Sequence, residues 1–279
     1  MSRIGSLNET PLHASLKALV APPGSHFETE VGGYVIDVVA PDMLIEIQTR
    51  SVGKMRTKLG ALLPEHRVRL VLPVADCRWI VKALPDGTAS RRRSPKREGM
   101  LDTFNELVSI PDLLTHPNLE LEVVLTEETE SRSHVHGKAW RRRGWVTTGR
   151  ELVAVRERRV FTRPHDLLDL LPGSLPHEFT TRDLSTAAAV PLRLAQRVVY
   201  CLVRMDLAAP TSKPTTRSIS SLRAVSITIG MPSVEGCERS RRHTSVPGMS
   251  GSMRSRSTRS GVGSRDAMQS AVWPSWAVA

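Results

Sequence analysis

The chain has 279 residues, 39 of them Lys or Arg and 28 Asp or Glu, for a net charge of +11 and a pI near 10.4; that length can bury a core without disulfide help. Its cysteines, Cys77, Cys201 and Cys237, lie far apart and outside any Cys-x-x-Cys or Cys/His ligand spacing, which argues against a disulfide framework or zinc site and for a reducing compartment. No apolar run approaches the roughly 20 residues of a membrane helix, and the N-terminus lacks the apolar stretch of a secretory signal, so a soluble cytoplasmic protein with no membrane partner is expected.

In chain order, "SLNETPLHASLKALV" places Leu7, Leu12, Leu16, Leu19 and Val20 at helical intervals, with Asn8 as cap and Pro11 in the first turn. "HFETEV" and "YVIDVV" are strands around Gly32-Gly33, a hairpin turn signal, and "LIEIQT" is a third. "SVGKMRTKLGALLP" is a second helix, capped by Ser51 and stopped by Pro64, and "VRLVLPV" and "RWIVKAL" are two more strands. The order α-β-β-β-α-β-β predicts an α/β fold, a mixed central sheet flanked by helices. "PDGTASRRRSPKREG" reads as a basic loop, "MLDTFNELVSIPDLL" as a helix, and "LELEVVLTEE" and "ELVAVRERRVF" as strands, which carries the first domain to residue 160. Residues 161–210 form a small helical module: a short helix "PHDLLDLLP", then two helices joined at Val190-Pro191, the first capped by Thr181. Residues 211–279 contain sixteen serines and no periodicity, and their 10 basic and 3 acidic residues give +7, leaving +4 for residues 1–210. Such a tail is expected to be disordered, and the abrupt change of texture after Pro210 also fits an out-of-frame extension.

Two acids, Asp37 and Glu46, interrupt the best strand-forming run. A turn centred between Pro41 and Asp42 sets 39 opposite 44 and 37 opposite 46. Asp37, Glu46 and Gln48 then share one face, and Ile36, Val38, Ile45 and Ile47 take the other. Carboxylates this close repel unless a cation or shared proton intervenes, and a hard ion such as Mg²⁺ or Mn²⁺ suits oxygen ligands. A helix acid, a strand Asp and a Glu-x-Lys strand in this element order resemble the restriction-endonuclease-like, or PD-(D/E)XK, nuclease superfamily over about residues 7–82. The resemblance implies Glu9, Asp37 and Glu46 as metal ligands, with Glu28 and Glu30 as geometric substitutes for Glu9. It also implies a metal-activated water attacking a phosphodiester. Two positions depart from the pattern: Asp37 follows Ile36 rather than Pro, and Gln48 stands where the family has Lys. Gln48 is then the water-orienting residue, and Lys17, ahead of Lys54, is the candidate for the missing ammonium.

"FTTRDLSTAAAVPLRLAQRVVYCLVRMDLAAP" resembles a winged-helix or helix-turn-helix module. Its second helix would be the recognition helix, with Arg193, Gln196 and Arg197 reaching DNA; no wing hairpin is legible after Leu207. "KAWRRRGWV" sets a basic triplet between Trp140 and Trp145, and Arg141 and Arg142 are candidate phosphate contacts. Such a segment more commonly anchors a turn with its arginines solvated, and "RRRSPKR" at 91–97 has the same low specificity. His134 and His136 have strand spacing for two metal ligands but no third partner in the sequence nearby. The expected function is a metal-dependent nuclease acting on DNA. The alternatives are an inactive nuclease-fold DNA-binding protein or a winged-helix transcriptional regulator. The expected partner is nucleic acid, and a homodimer is compatible with either class.

Overall fold

Two glycines set the first hairpin. In the computed structural model, which describes residues 9–84, 87–137 and 139–210 and the backbone of 225–227, Gly32 and Gly33 have φ of +60° and +78°. That left-handed pair is what a two-residue turn between right-twisted strands requires. It joins β1 (His26–Val31) to β2 (Tyr34–Val39) antiparallel. β2 turns into β3 (Leu44–Ile47) with Val38 opposite Ile45 and Val39 opposite Leu44, the register expected from the Pro41-Asp42 turn. β3 runs parallel to β4 (Val68–Ala83), and β4 runs parallel to β6 (Leu119–His134). β6 then pairs antiparallel with β7 (Trp145–Phe161). β5 (Ala89–Arg93) pairs with the far half of β4, giving the order β1-β2-β3-β4-β6-β7 with β5 beside β4. This is an α/β fold with a mixed sheet flanked by helices.

The helices cover the two faces near β3. α1 (Pro11–Val20) is capped by Thr10, whose hydroxyl accepts from the His13 N–H at 3.3 Å, and Pro11 tolerates the first turn, where no N–H is needed. Asn8, the expected cap, lies outside the described residues. Leu12, Leu16 and Val20 of α1 pack on Val38, Ile45, Ile47, Val71 and Val124. On the other face, α2 (Arg56–Leu62), α3 (Phe104–Leu107) and α5 (Leu192–Arg204) pack on Leu44, Leu70, Leu72, Leu121 and Val123. All four residues of β3 are buried, as befits a strand sandwiched between helices.

Several local expectations are corrected. The two strands read at 68–74 and 78–84 are one strand, because Asp76 is accommodated as a bulge between Ala75 and Cys77. The single helix expected over 100–114 is a series of short turns, 100–103, 104–107 and 113–115, interrupted near Pro111. Part of the basic loop at 85–99 is β5, paired to β4. Ser51 makes no cap bond and sits at φ +57°. α4 (Thr181–Ala187) is capped by Thr180 rather than Thr181, with Asp183 closing a reciprocal box. A small second sheet also exists: β8 (Glu178–Phe179), β9 (Ala208–Pro210) and β10 (Val225–Ile227), in the order β8-β10-β9. These strands, of two or three residues each, are too short to show alternation in the sequence. Residues 211–224 and 228–279, and the expectation of disorder for them, lie outside the described residues. Among the described residues no single helix is long and apolar enough to cross a membrane.

Candidate active site

Asp37 sits where the β2–β3 ladder stops. Ile36 packs with the α2-side cluster and Val38 with the α1-side cluster, so strand alternation breaks between them, and the expected common face for Ile36 and Val38 is not formed. The Asp37 carboxylate lies in the seam instead and accepts the Ile47 N–H at 2.8 Å, in place of a ladder carbonyl. Glu46, one residue before, is 3 % exposed. Its Oε1 lies 2.6 Å from Lys58 Nζ on α2. That ammonium donates to the Val35 carbonyl, and Glu46 Oε1 is left with charge pairing but no aligned hydrogen bond.

His13, one helical turn beyond Glu9 on α1, completes the group. Its Nε2 lies 3.2 Å from both Asp37 Oδ2 and the Ile47 carbonyl, and its Nδ1 lies 3.0 Å from Glu9 Oε1. Every partner is an acceptor, so both ring nitrogens carry protons. The Asp37 hydrogen bond, outweighing burial, raises the imidazole to about 9. Burial pushes Asp37 upward, but His13 and the Ile47 N–H prevail and hold it below the usual carboxylate range. Glu46 goes the other way: burial first, then the Asp37 charge, raise it to about 7 against the pull of Lys58. Neighbouring acids are thus driven apart, one ionised and one poised near neutrality.

The other predicted site residues are distributed around this pair. Glu9 is engaged by His13 and, at 2.5 Å, by Lys17. Lys17 also binds Glu28 at 2.9 Å, so it neutralises those acids; the ammonium beside Glu46 is that of Lys58, and Lys54 is exposed. Glu28 lies opposite Asp37 at a break in the β1–β2 pairing, with φ +48°, a strained value for a non-glycine residue. The amide of Gln48 donates to the Arg50 carbonyl. Among the described residues no three His, Cys, Asp or Glu side chains gather as a metal-holding group; Asp37 and Glu46 are the two acids brought together. Neither His13 nor Lys58 was anticipated. Glu9, His13 and Lys17 do stand at i, i+4 and i+8, a stripe that marks one helix face, whereas Lys58 leaves no local signal.

A model of a domain family of unknown function, DUF8091, matches residues 10–162, more than half of the chain. The chain belongs to this family. An uncharacterized protein of Treponema pallidum (strain Nichols) is 33% identical over 214 residues, covering 75% of this chain and 84% of that protein. No solved structure matches. The DUF8091 segment contains His13, Asp37, Glu46, Gln48 and Lys58. Its likeness to the Treponema protein must run on beyond residue 162, because 214 aligned residues exceed the 162 that end with the family match. Next to the DUF8091 carboxylates, Gln48 and Thr49 divide two hollows. A cleft of about 310 Å³ is lined by Glu9, His13, Glu28 and Asp37. A larger cavity of about 530 Å³ is lined by Arg50, Arg78, Lys96, Glu128 and Arg150 together with Arg197 of α5. Arg197 donates to Asn105 in that cavity, Gln196 is half-buried, and Arg193 is exposed. Arg141 and Arg142 are exposed in the turn between β6 and β7.

Proposed function

We propose that the chain is a divalent-metal-dependent nuclease that hydrolyses phosphodiester bonds of DNA on a restriction-endonuclease-like scaffold, with the module after residue 160 helping to hold the nucleic acid. The observation that carries the reading is the carboxylate pair, Asp37 held ionised on the wall of a cleft and Glu46 raised to about 7 in the buried strand beside it. Acids whose surroundings drive their pKa values apart are the arrangement from which acid and base roles are drawn in active sites. The donors on hand are all oxygen, two carboxylates and the Ile47 carbonyl, which suits Mg²⁺ or Mn²⁺. The buried Glu46 Oε1 lacks a hydrogen bond, and His13 already places positive charge between Asp37 and the Ile47 carbonyl. When bound, such an ion supplies a low-pKa water and neutralises charge building on the phosphate. The protein's own side chains do the remaining work. Asp37 and Glu46 hold the centre, Lys58 compensates Glu46, and Gln48 borders both hollows, where it can orient water by hydrogen bonding alone.

The test is cleavage of linear, supercoiled and branched DNA with Mg²⁺ or Mn²⁺. Asp37→Ala and Glu46→Ala are each expected to reduce cleavage by at least about a hundredfold, as loss of a principal charge-stabilising group does. Cleavage that survives either substitution or a chelator overturns the proposal. A second reading, nucleic-acid binding without hydrolysis, is favoured by one observation: both carboxylates are already charge-paired and the Gln48 amide is committed to Arg50. It predicts chelator-independent binding with no strand scission.

A further inference from the structure

The charge of the protein is gathered at one end of the sheet. Residues 79–97 and 129–151 contain 12 Lys or Arg and three acids, Asp86, Glu130 and Glu151, for +9. With residues 1–210 at +4, everything else in that span sums to −5. The two segments are far apart in sequence but adjacent in space. Arg92 pairs with Ile80 on β4, Ile80 with Glu130 on β6, and Glu130 with Arg150 on β7. Together β5, β4, β6 and β7 make a four-stranded arm, and beyond Ile80 and Glu130 none of their described residues is buried. Arg91, Arg92 and Arg93 are exposed along its β5 edge, and Arg141, Arg142 and Arg143 at its tip.

The arm also holds three of the chain's five tryptophans. Arg91 covers the Trp79 ring at 4.2 Å and Lys82 covers Trp145 at 4.4 Å. Trp140 is 81 % exposed, with Arg141 beside it. Rings of this kind rigidify the cations that lie on them, and an exposed one offers a face to a nucleobase. Leu70 is the β4 partner of Glu46. Lys82 lies 12 residues further along β4, about 40 Å at 3.3 Å per residue, a little more than one turn of a duplex.

We propose that this basic arm is a binding surface for the phosphodiester backbone of duplex nucleic acid, gripping it about one helical turn from Asp37 and Glu46. The proposal rests on the nuclease reading only for the choice of polyanion. Within residues 1–210 the remainder, at −5, repels the same polyanion and favours the arm for first contact.

The test uses the full chain and two surface variants, R91Q/R92Q/R93Q and R141Q/R142Q/R143Q, binding a labelled 40-base-pair DNA in chelator over a range of salt. Each variant is expected to weaken binding about tenfold or more at low salt and to flatten the log K against log salt slope by about 2 to 3, since each lost phosphate contact removes about 0.9. Unchanged affinity and slope in both variants overturn the proposal, as does competition by polyglutamate at the same charge concentration as effectively as by DNA, which would assign the arm to an acidic protein. Cleavage of 10- and 40-base-pair duplexes separates this result from the nuclease reading. Variants that keep wild-type cleavage of the short duplex and lose the preference for the long one support the arm. Cleavage by a wild type whose arm variants bind and cut both lengths normally removes the arm and leaves the nuclease. Binding lost in the variants without any cleavage leaves the arm and removes the nuclease.

Discussion

His13 is surrounded by acceptors and meets no donor, so its proton count controls what Asp37 and Glu9 experience. With its pKa raised to about 9 in the folded chain, above the usual 6.5 or so, its stabilisation is complete below about pH 6.5 and is lost as pH rises through about 9. The side chain is partly exposed, so solvent screening brings the expected contribution to about 1–2 kcal/mol. Denaturant unfolding at pH 6 and pH 9.5 should show that difference in wild type and its absence in His13→Gln. Glu46, also raised, acts in the same sense between about pH 4.5 and 7: its protonated form is native-like, and ionising it costs stability. If it must ionise for hydrolysis, cleavage should rise with pH through about 7, and Lys58→Met should move that limb upward; a limb that stays put removes Lys58 from the site. The Asp37–Glu46 neighbourhood was legible because a two-strand register can be counted from its turn. Its cations were not, because Lys58 arrives from a helix whose docking no nearby residue encodes. Asp37 itself shows the limit of counting: its side chain takes the Ile47 N–H and leaves the face that alternation assigns to it.

Among the elements, the short ones were read least well and the long ones were cut too short. β8, β9 and β10 have two or three residues each, below the length at which period-two alternation exists. β4, by contrast, was split at Asp76, because a bulge looks in sequence like a turn. Polar, arginine-rich β5 forms because β4 offers it an edge, a tertiary cause that strand propensity does not carry. Two element-level outcomes can be measured. Thr180 accepts from the Asp183 N–H while Asp183 binds back to Thr180. Thr180→Ala should therefore cost about 1 kcal/mol, and adding Asp183→Ala should cost less than the two singles combined. At the arm's tip, Gly144 has φ +80°, and a Cβ there would fall 2.4 Å from His134 Nε2. Gly144→Ala should displace His134 from its edge-on contact with Trp145, seen as faster amide exchange from 132 to 148 with the α1 and β3 amides unchanged.

Across the whole molecule, the family match and the packing draw different boundaries. The match ends at residue 162, yet Leu194, Val198 and Leu202 of α5 share one apolar cluster with Leu70, Phe104 and Leu107. Residues 1–162 alone should therefore unfold well below the full chain in a thermal melt, having lost the cover over that face. Phe104, fully buried in the shared cluster, should cost about 3–5 kcal/mol when replaced by Ala. A melt of 1–162 that matches the full chain would make the module an independent passenger. The long parallel pairing of β4 with β6 matters before folding is finished. Val68 meets Leu119, 51 positions later, so at about 5–20 residues per second the ribosome leaves β4 without this neighbour for some seconds. During that interval its apolar edge is a template for other nascent chains. Holding chaperones should accordingly be most in demand while residues 84–118 are being made.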